Sequence, residues 1–205
     1  MIAYASRTGT RKTLDLLRRA NWRLLVSAKG VRRHEGFKYA CDNGAWSSFL
    51  KGEPFDTQAY RTMLNWIPKQ THPPDWMAVP DIVEGGLESL KLSEKWMPEV
   101  LDKCELGLLV VQDGMRPEDV RSMVGKRVGI FLGGSTAYKL ETLYRWGEFC
   151  SGRCYYHVGR VNTAKRIKMC AEAGADSFDG TSVTRFPSTI RLLDHSRRQM
   201  HLFSP

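Results

Sequence analysis

Residues 107–134, GLLVVQDGMRPEDVRSMVGKRVGIFLGG, decide the fold. Two short apolar runs, 107–112 and 128–132, flank a polar segment in which Pro117 stands at the first turn of a predicted helix through Met123. Short apolar runs that end at glycine-containing turns are typical of strands in a parallel sheet. The stretch therefore predicts one strand–helix–strand unit.

The same alternation extends along the whole chain. Apolar runs predict eight strands, at residues 2–6, 22–27, 38–42, 76–81, 107–112, 128–132, 154–159 and 176–180. Helices are predicted in most of the gaps, at residues 10–20, 56–66, 87–103, 117–123, 137–148 and 163–173. Eight strands alternating with helices predict an α/β fold, a compact (β/α)8 TIM barrel that forms a single domain over residues 1–205. The alternative is an open doubly wound sheet, which needs fewer strands.

The charge of the chain indicates a partner. The 205 residues include 31 Lys and Arg but 22 Asp and Glu, which gives a net charge of +9. A basic surface of this kind favours a polyanion, and we expect nucleic acid rather than a membrane. The alternative is a solvated basic surface. Because the apolar runs are far shorter than the roughly 20 residues that span a bilayer and no signal peptide pattern is present, we expect a cytoplasmic protein.

The five cysteines are expected to be reduced thiols, because their number is odd and no export signal accompanies them. The spacing of Cys150, Cys154 and His157 admits a zinc site, but a fourth ligand is not apparent. We therefore expect neither a metal nor a cofactor.

Three predicted strands end in a carboxylate: Asp42 ends the third, Asp81 the fourth and Asp179 the eighth. In a barrel the carboxyl ends of the strands meet at one rim, where chemistry collects, so the three should converge. Clustered carboxylates raise one another's pKa, which suits acid–base work. One carboxylate can also attack an anomeric carbon while another protonates the leaving group. Each aspartate taken alone has a simpler explanation, as the N-cap of the next helix.

Glycine and aromatic residues stand beside these carboxylates. Gly133 and Gly134 follow the sixth strand and allow backbone to approach a ligand closely; a tight turn or a phosphate site are the alternatives. Trp46 and Tyr156 are predicted to stack on a planar base, although single aromatic residues more often belong to the core.

The strand ends, in this order, resemble the tRNA-guanine transglycosylase family. DNGAW at 42–46 is similar to the family's Asp-Ser-Gly-Gly-aromatic segment, and VQDG at 111–114 is similar to its Val-Gln-Gly-Gly. A later strand-end Asp matches Asp81, a Gly-Gly turn matches 133–134, and an aromatic strand ending in Val-Gly resembles YYHVG at 155–159. GADSFD at 174–179, followed by Thr184 and Arg185, resembles Gly-x-Asp-x-Phe-Asp and Thr-Arg. The resemblance covers residues 38–187.

The resemblance implies exchange of guanine in nucleic acid for a 7-deazaguanine. Asp179 would attack C1′ of the nucleotide and Asp42 would act as general acid and base. The residues implied to bind the base are Asp81, Gln112, Gly133, Gly134, Asn43, Trp46 and Tyr156, with the last two sandwiching its faces. Arg185 would lie near the nucleophile or the phosphate backbone. The target base would have to leave its stack to reach such a slot.

Two departures from the family pattern narrow the range of expected nucleic-acid substrates. No cysteine follows Asp179, so the family's zinc module is missing, and Lys139 falls near the place of a family Glu. A compact, basic, zinc-free chain resembles the phage and bacterial DNA-guanine transglycosylases, which favours DNA over tRNA. The incoming base would be a 7-deazaguanine, such as 7-cyano-7-deazaguanine, whose identity the sequence leaves open. Arg32 and Arg33, in the loop at 29–38, are predicted to grip the phosphate backbone, unless that loop is merely exposed.

Other functions remain open at this stage. The same carboxylates would suit an N-glycosidase or nucleosidase-type hydrolase, in which water resolves the intermediate. A non-catalytic nucleic-acid-binding accessory subunit would explain the charge, and a phosphate-binding metabolic barrel would explain the Gly-Gly turn. A homodimer or a partner protein is also compatible with the sequence.

Overall fold

The computed structural model describes residues 1–7 and 10–198, and in these its strands close into a parallel barrel. Each strand pairs with the next along the chain, and the last pairs with the first. The strands are β1 Ile2–Ser6, β2 Arg23–Ser27, β3 Tyr39–Asp42, β4 Met77–Ala78, β5 Gly107–Val111, β6 Val128–Leu132, β7 Tyr156–Val158 and β8 Ser177–Gly180. The prediction of a (β/α)8 barrel is confirmed, and the open sheet is excluded.

Helices cover the outside of the barrel. They are α1 Arg11–Arg19, α2 Ala45–Phe49, α3 Thr57–Trp66, α4 Gly86–Lys103, α5 Pro117–Val120, α6 Thr136–Cys150, α7 Ala164–Glu172, α8 Ser182–Arg185 and α9 Ile190–Arg198. Short 3-10 turns follow α3 at Ile67–Lys69 and α8 at Pro187–Thr189. As predicted, no helix lies between β2 and β3. No helix in the described ranges is long and apolar enough to cross a membrane.

Local sequence explains where the elements begin and end. Asp56 caps α3 as predicted, its carboxylate accepting from the Ala59 amide at 2.9 Å. The prediction for the fourth strand, 76–81, is too long, because Pro80 lacks the N–H that a continuing ladder needs. Sequence reasoning missed α2, α8 and α9. The carboxylate of Asp194 in α9 accepts from the Trp22 indole at 3.2 Å and holds that helix against the barrel.

Side chains alternate between the barrel interior and the helix layer. On β6, Phe131 points into the barrel while Ile130 and Leu132 pack under the helices. On β7, His157 lies inside among aromatic rings, and its neighbour Tyr156 lies in the outer core. This period of two determines which residue of each strand can reach a site inside the barrel.

The amino end of the barrel is filled by a polar cluster. The Tyr4 hydroxyl donates to Asp75 Oδ2 at 2.9 Å, and the Arg23 guanidinium pairs with the same oxygen at 2.9 Å. The Tyr4 ring packs edge-on against Trp76, which is fully buried. Open space for a ligand is consequently left at the carboxyl ends of the strands.

Candidate active site

A cavity of about 470 Å³ opens at the carboxyl ends of the strands. This volume lies within the range of small-molecule sites. Nine of the ten residues predicted for catalysis and base binding line the cavity: Asp42, Asn43, Trp46, Asp81, Gln112, Gly133, Gly134, Asp179 and Arg185. The three aspartates therefore meet at one pocket, as their positions at strand ends predicted.

Asp179 is held at one oxygen and left open at the other. Its side chain is buried, and Oδ1 accepts from His157 Nε2 at 3.1 Å and from the Arg160 backbone N–H at 3.2 Å. Oδ2 makes no hydrogen bond to any residue that the structure describes. A carboxylate oriented by two donors on one oxygen presents the other as a nucleophile or an acceptor.

His157 supports Asp179 from inside the barrel. The ring is fully buried, its Nδ1 lies 2.7 Å from Ser177 Oγ, and its centroid lies 4.5 Å from those of Trp76 and Phe131. Burial lowers the pKa of His157, against the opposing effect of Asp179. A neutral ring that donates through Nε2 to the acceptor-only carboxylate must accept from the Ser177 hydroxyl at Nδ1.

The orientation of His157 also separates it from the cysteines that the sequence placed beside it. Its two ring nitrogens bond Ser177 and Asp179 inside the barrel. Cys150 ends α6, and the Cys154 amide bonds its carbonyl at 3.0 Å. Residues 1–7 and 10–198 contain no group of three or more His, Cys, Asp and Glu side chains placed to hold a metal.

Asp42 occupies a different environment from Asp179. Burial raises its pKa to about 6, the charge of Asp179 adds to that effect, and the Ser27 hydroxyl and the Gly44 amide oppose it. The Gly44 N–H donates to Asp42 Oδ2 at 3.2 Å. Gly44 adopts a φ of 81°, and a Cβ there would lie 2.9 Å from Lys29 Cγ, so the turn that positions Asp42 requires glycine.

Asp81 is fixed by two side-chain amides. Its Oδ1 accepts from Asn43 Nδ2 at 2.6 Å and its Oδ2 from Gln112 Nε2 at 2.5 Å. Burial raises the pKa of Asp81 to about 7 and Asp42 adds to the effect, while the two amides and Arg160 oppose it. The result is a rigid acceptor in the pocket wall.

The two glycines after β6 bring backbone to the pocket. A Cβ on Gly133 would lie 2.8 Å from Val110 Cγ1, so no side chain fits there. Gly134 has a φ of 73°, and its carbonyl accepts from the Arg160 guanidinium. The carbonyl of Gly134 is thus already bonded within the protein.

Sequence reasoning missed His157 as a partner of Asp179, and it also missed Arg160, which lines the cavity. Its guanidinium carbon lies 3.8 Å from the centre of the Trp46 ring, a cation–π contact. Its backbone, at a φ of 57°, turns its N–H toward Asp179. Burial lowers the pKa of Arg160, and Asp179, Asp113 and Asp81 oppose that effect. The position of Arg160 directly after Val158 and Gly159, at the end of β7, could have indicated a site residue. The left-handed backbone that turns its N–H toward Asp179 could not be predicted from the sequence.

The arginine changes the role predicted for Trp46. Trp46 lines the pocket and also stacks on Phe49, with ring centroids 5.4 Å apart and planes at 26°. Because the Arg160 guanidinium covers one face of Trp46, a base using that face must lie on the guanidinium or displace it.

The stacking role predicted for Tyr156 is wrong. The Tyr156 ring is buried in the outer core, and its hydroxyl donates to the Leu143 carbonyl in α6 at 2.9 Å. The alternation of β7 places the adjacent His157 in the barrel interior instead.

The predicted basic residues differ in position. Arg185 is exposed and lines the pocket. Arg32 donates to the Ala28 carbonyl at 3.0 Å and Arg33 is exposed, and neither lines the pocket. Lys139, buried in α6, donates to the Gly159 carbonyl at 2.7 Å and also lies outside the pocket lining.

No protein-family model matches the sequence, and no curated protein matches it. Its fold is similar to that of a solved structure, a candidate fructose-1,6-biphosphate aldolase from Coccidioides immitis, with a TM-score of 0.61 and 10% sequence identity. The superposition covers 97% of this chain and 87% of that one. At this identity the likeness concerns the barrel alone, and it agrees with the closed eight-stranded sheet.

Proposed function

We propose that the protein is a guanine transglycosylase that replaces guanine in nucleic acid, DNA in preference to tRNA, with a 7-deazaguanine such as 7-cyano-7-deazaguanine. The observation that carries this proposal is the pair Asp179 and Asp42. The two share one pocket in unequal environments, one with an open carboxylate oxygen and the other with a pKa raised to about 6. Unequal carboxylates suit a nucleophile and a proton shuttle.

In the first step, Asp179 Oδ2 attacks C1′ of the extruded nucleotide and the C1′–N9 bond breaks. The electron pair of that bond leaves with the purine, which takes a proton from the Asp42 carboxyl group. The products are a glycosyl ester on Asp179, free guanine and ionised Asp42.

In the second step, N9–H of the incoming 7-deazaguanine gives its proton to Asp42. N9 then attacks C1′, the C1′–Oδ2 bond breaks, and its electron pair returns to Asp179. The N–H groups of His157 and Arg160 at Oδ1 stabilise the charge that reappears there.

Recognition of the base rests on Asp81 and Gln112. Guanine and 7-deazaguanine share an N1–H, a 2-amino group and an O6, and they differ at position 7. The carboxylate of Asp81 suits the two donors, and the second Nε2 hydrogen of Gln112 suits O6. One pocket would therefore accept both the leaving and the incoming base.

Aldol-type chemistry through a lysine Schiff base has less support. Burial lowers the pKa of Lys139 to about 8, which is a property of such lysines. However, Lys139 is not part of the pocket lining, and its Nζ is bonded to Gly159.

The test is incubation with duplex DNA, single-stranded DNA and tRNA in the presence of labelled 7-cyano-7-deazaguanine, followed by nucleoside mass analysis. We expect the label in DNA with wild-type protein and none with Asp179→Ala. Abasic sites in place of modified bases would assign the hydrolase instead. Exchange by Asp179→Ala at the wild-type rate would refute the mechanism.

A further inference from the structure

The two halves of the pocket mouth differ in charge. The segments after β8, β1, β2 and β3, which are neighbours in the barrel, form one half. Exposed cations without an ion pair to any described residue stand there: Arg11, Lys12, Arg33, Lys51 and Arg185. The carboxylates of Glu35 and Glu53 on the same half are already paired, with Arg7 at 2.6 Å and Lys29 at 2.7 Å. This half, the basic half, is therefore available to an anion.

The segments after β4, β5, β6 and β7 form the opposite half, where no such excess exists. Exposed Arg116 and Lys165 are accompanied by exposed carboxylates at Glu84 and Asp119, and the Glu118 carboxylate lies 3.6 Å from Arg145. Arg160 is turned inward, with its guanidinium on Trp46 and Gly134. A polyanion crossing the mouth would therefore meet stronger attraction on the basic half than on the opposite half.

Exposed apolar side chains also gather on the basic half. Phe49 is 40% exposed and Leu50 67%, and Val31, in the segment after β2, and Phe186, in the segment after β8, are exposed as well. Phe49 stacks on Trp46, which lines the pocket, and Leu50 lines it as well. A row of rings thus leads from the pocket wall to the outer surface.

We propose that one strand of the nucleic acid crosses the mouth over the basic half, with its phosphates on Arg33, Lys51 and Arg185. The base next to the extruded nucleotide stacks on Phe49, outside the pocket. Cations interleaved with exposed rings are the arrangement that binds single-stranded nucleic acid, because every base offers a π-face. The inference rests on the proposed function, since it takes the pocket to hold an extruded base.

The experiment measures binding without turnover. Full-length Asp179→Ala protein is titrated against a fluorescent single-stranded oligonucleotide by anisotropy at several salt concentrations. Phe49→Ala is compared with Ile82→Ala, an exposed apolar residue on the opposite half. Arg33→Ala/Lys51→Ala is compared with Lys95→Ala/Lys126→Ala, which removes equal charge from exposed positions on α4 and after α5. Thermal melts confirm that each variant folds.

We expect Phe49→Ala to weaken binding about ten-fold and Ile82→Ala to change it little. The Arg33→Ala/Lys51→Ala pair should flatten the slope of log affinity against log salt by about 1.4, as expected for two single-strand phosphate contacts. Equal effects of test and control variants, or no binding by the parent protein, would overturn the inference.

Parallel assay of wild-type exchange separates the two proposals. Binding that depends on the basic half, without any base exchange, would refute the enzymatic function and support the proposed position of the nucleic-acid strand. Exchange together with binding that ignores the basic half would refute the proposed strand position alone.

Discussion

Buried and half-buried aspartates stand at both ends of the barrel, and their hydrogen-bond and ion-pair partners differ. At the amino end, Asp75 is paired with Arg23 at 2.9 Å and bonded by the Tyr4 hydroxyl. At the carboxyl end, Asp42, Asp81 and Asp179 form no ion pair with a lysine or arginine of the described ranges. They accept instead from amides, backbone N–H groups and His157.

The difference indicates that Asp75 supports the fold, whereas the aspartates at the carboxyl end are suited to chemistry. A partly buried carboxylate with a matched cation stays ionised and supports the fold. At the carboxyl end, burial raises the pKa of Asp42 to about 6 and that of Asp81 to about 7, and no cation in the described part of the chain is paired with either side chain to offset it. Such groups cost stability and are typical of functional sites.

The largest effect is expected from Asp179→Asn. The substitution keeps the size of the side chain but removes the charge of the proposed nucleophile, so the exchange rate should fall by about 10³-fold or more. Single-turnover incorporation of labelled base measures it. The matched change at the other end, Asp75→Asn, should leave exchange near the wild-type rate; a comparable loss there would contradict the assignment.

The next effect concerns His157, which bonds the proposed nucleophile Asp179. His157→Leu removes the N–H that holds Asp179 Oδ1, and we expect kcat to fall about 10- to 100-fold with little change in KM. His157→Gln offers an amide N–H in its place and should recover part of the rate. If Leu and Gln variants lose the same activity, the ring serves packing only; melting temperatures report that packing separately.

The sequence predicted the carboxylates well because a strand end is a local property. Three apolar runs stop at Asp42, Asp81 and Asp179. When the barrel closes, the ends of these strands lie on one rim, so the three carboxylates come together. The barrel itself followed from eight such runs, and the missed α2 is a short helix behind the left-handed turn at Gly44.

The same reasoning failed where the contact is non-local or depends on the side of a strand. Tyr156 and His157 are adjacent, and the apolar run of β7 does not reveal which of them faces inward. Arg160 reaches Trp46 and Gly134 through a left-handed backbone, which follows from the loop geometry and not from its residue type. A site residue of this kind can be identified only from the three-dimensional arrangement of the loops.

At the amino end, Asp75→Asn should lower stability. It leaves the guanidinium of Arg23, which is about a quarter exposed, without its counter-charge. We expect a loss of about 1–3 kcal/mol, a fall in melting temperature of several degrees for a chain of this length. Tyr4→Phe, which removes only the hydrogen bond, should lose less. An unchanged melting temperature in Asp75→Asn would show that the cluster does not support the fold.

The smallest effect is a gain in stability at the carboxyl end. The pKa of Asp42 is about 6 in the folded protein and near 3.9 when unfolded. Between these values the folded state binds the proton more tightly, so the contribution of Asp42 to stability falls as pH rises from about 4 to 6 and stays low above. Asp42→Asn has no such charge to bury and keeps an acceptor for the Gly44 amide. Its melting temperature should therefore exceed that of wild type by a few degrees at pH 8 and by much less at pH 4. If the gain in melting temperature does not increase with pH, the folded protein does not raise the pKa of Asp42.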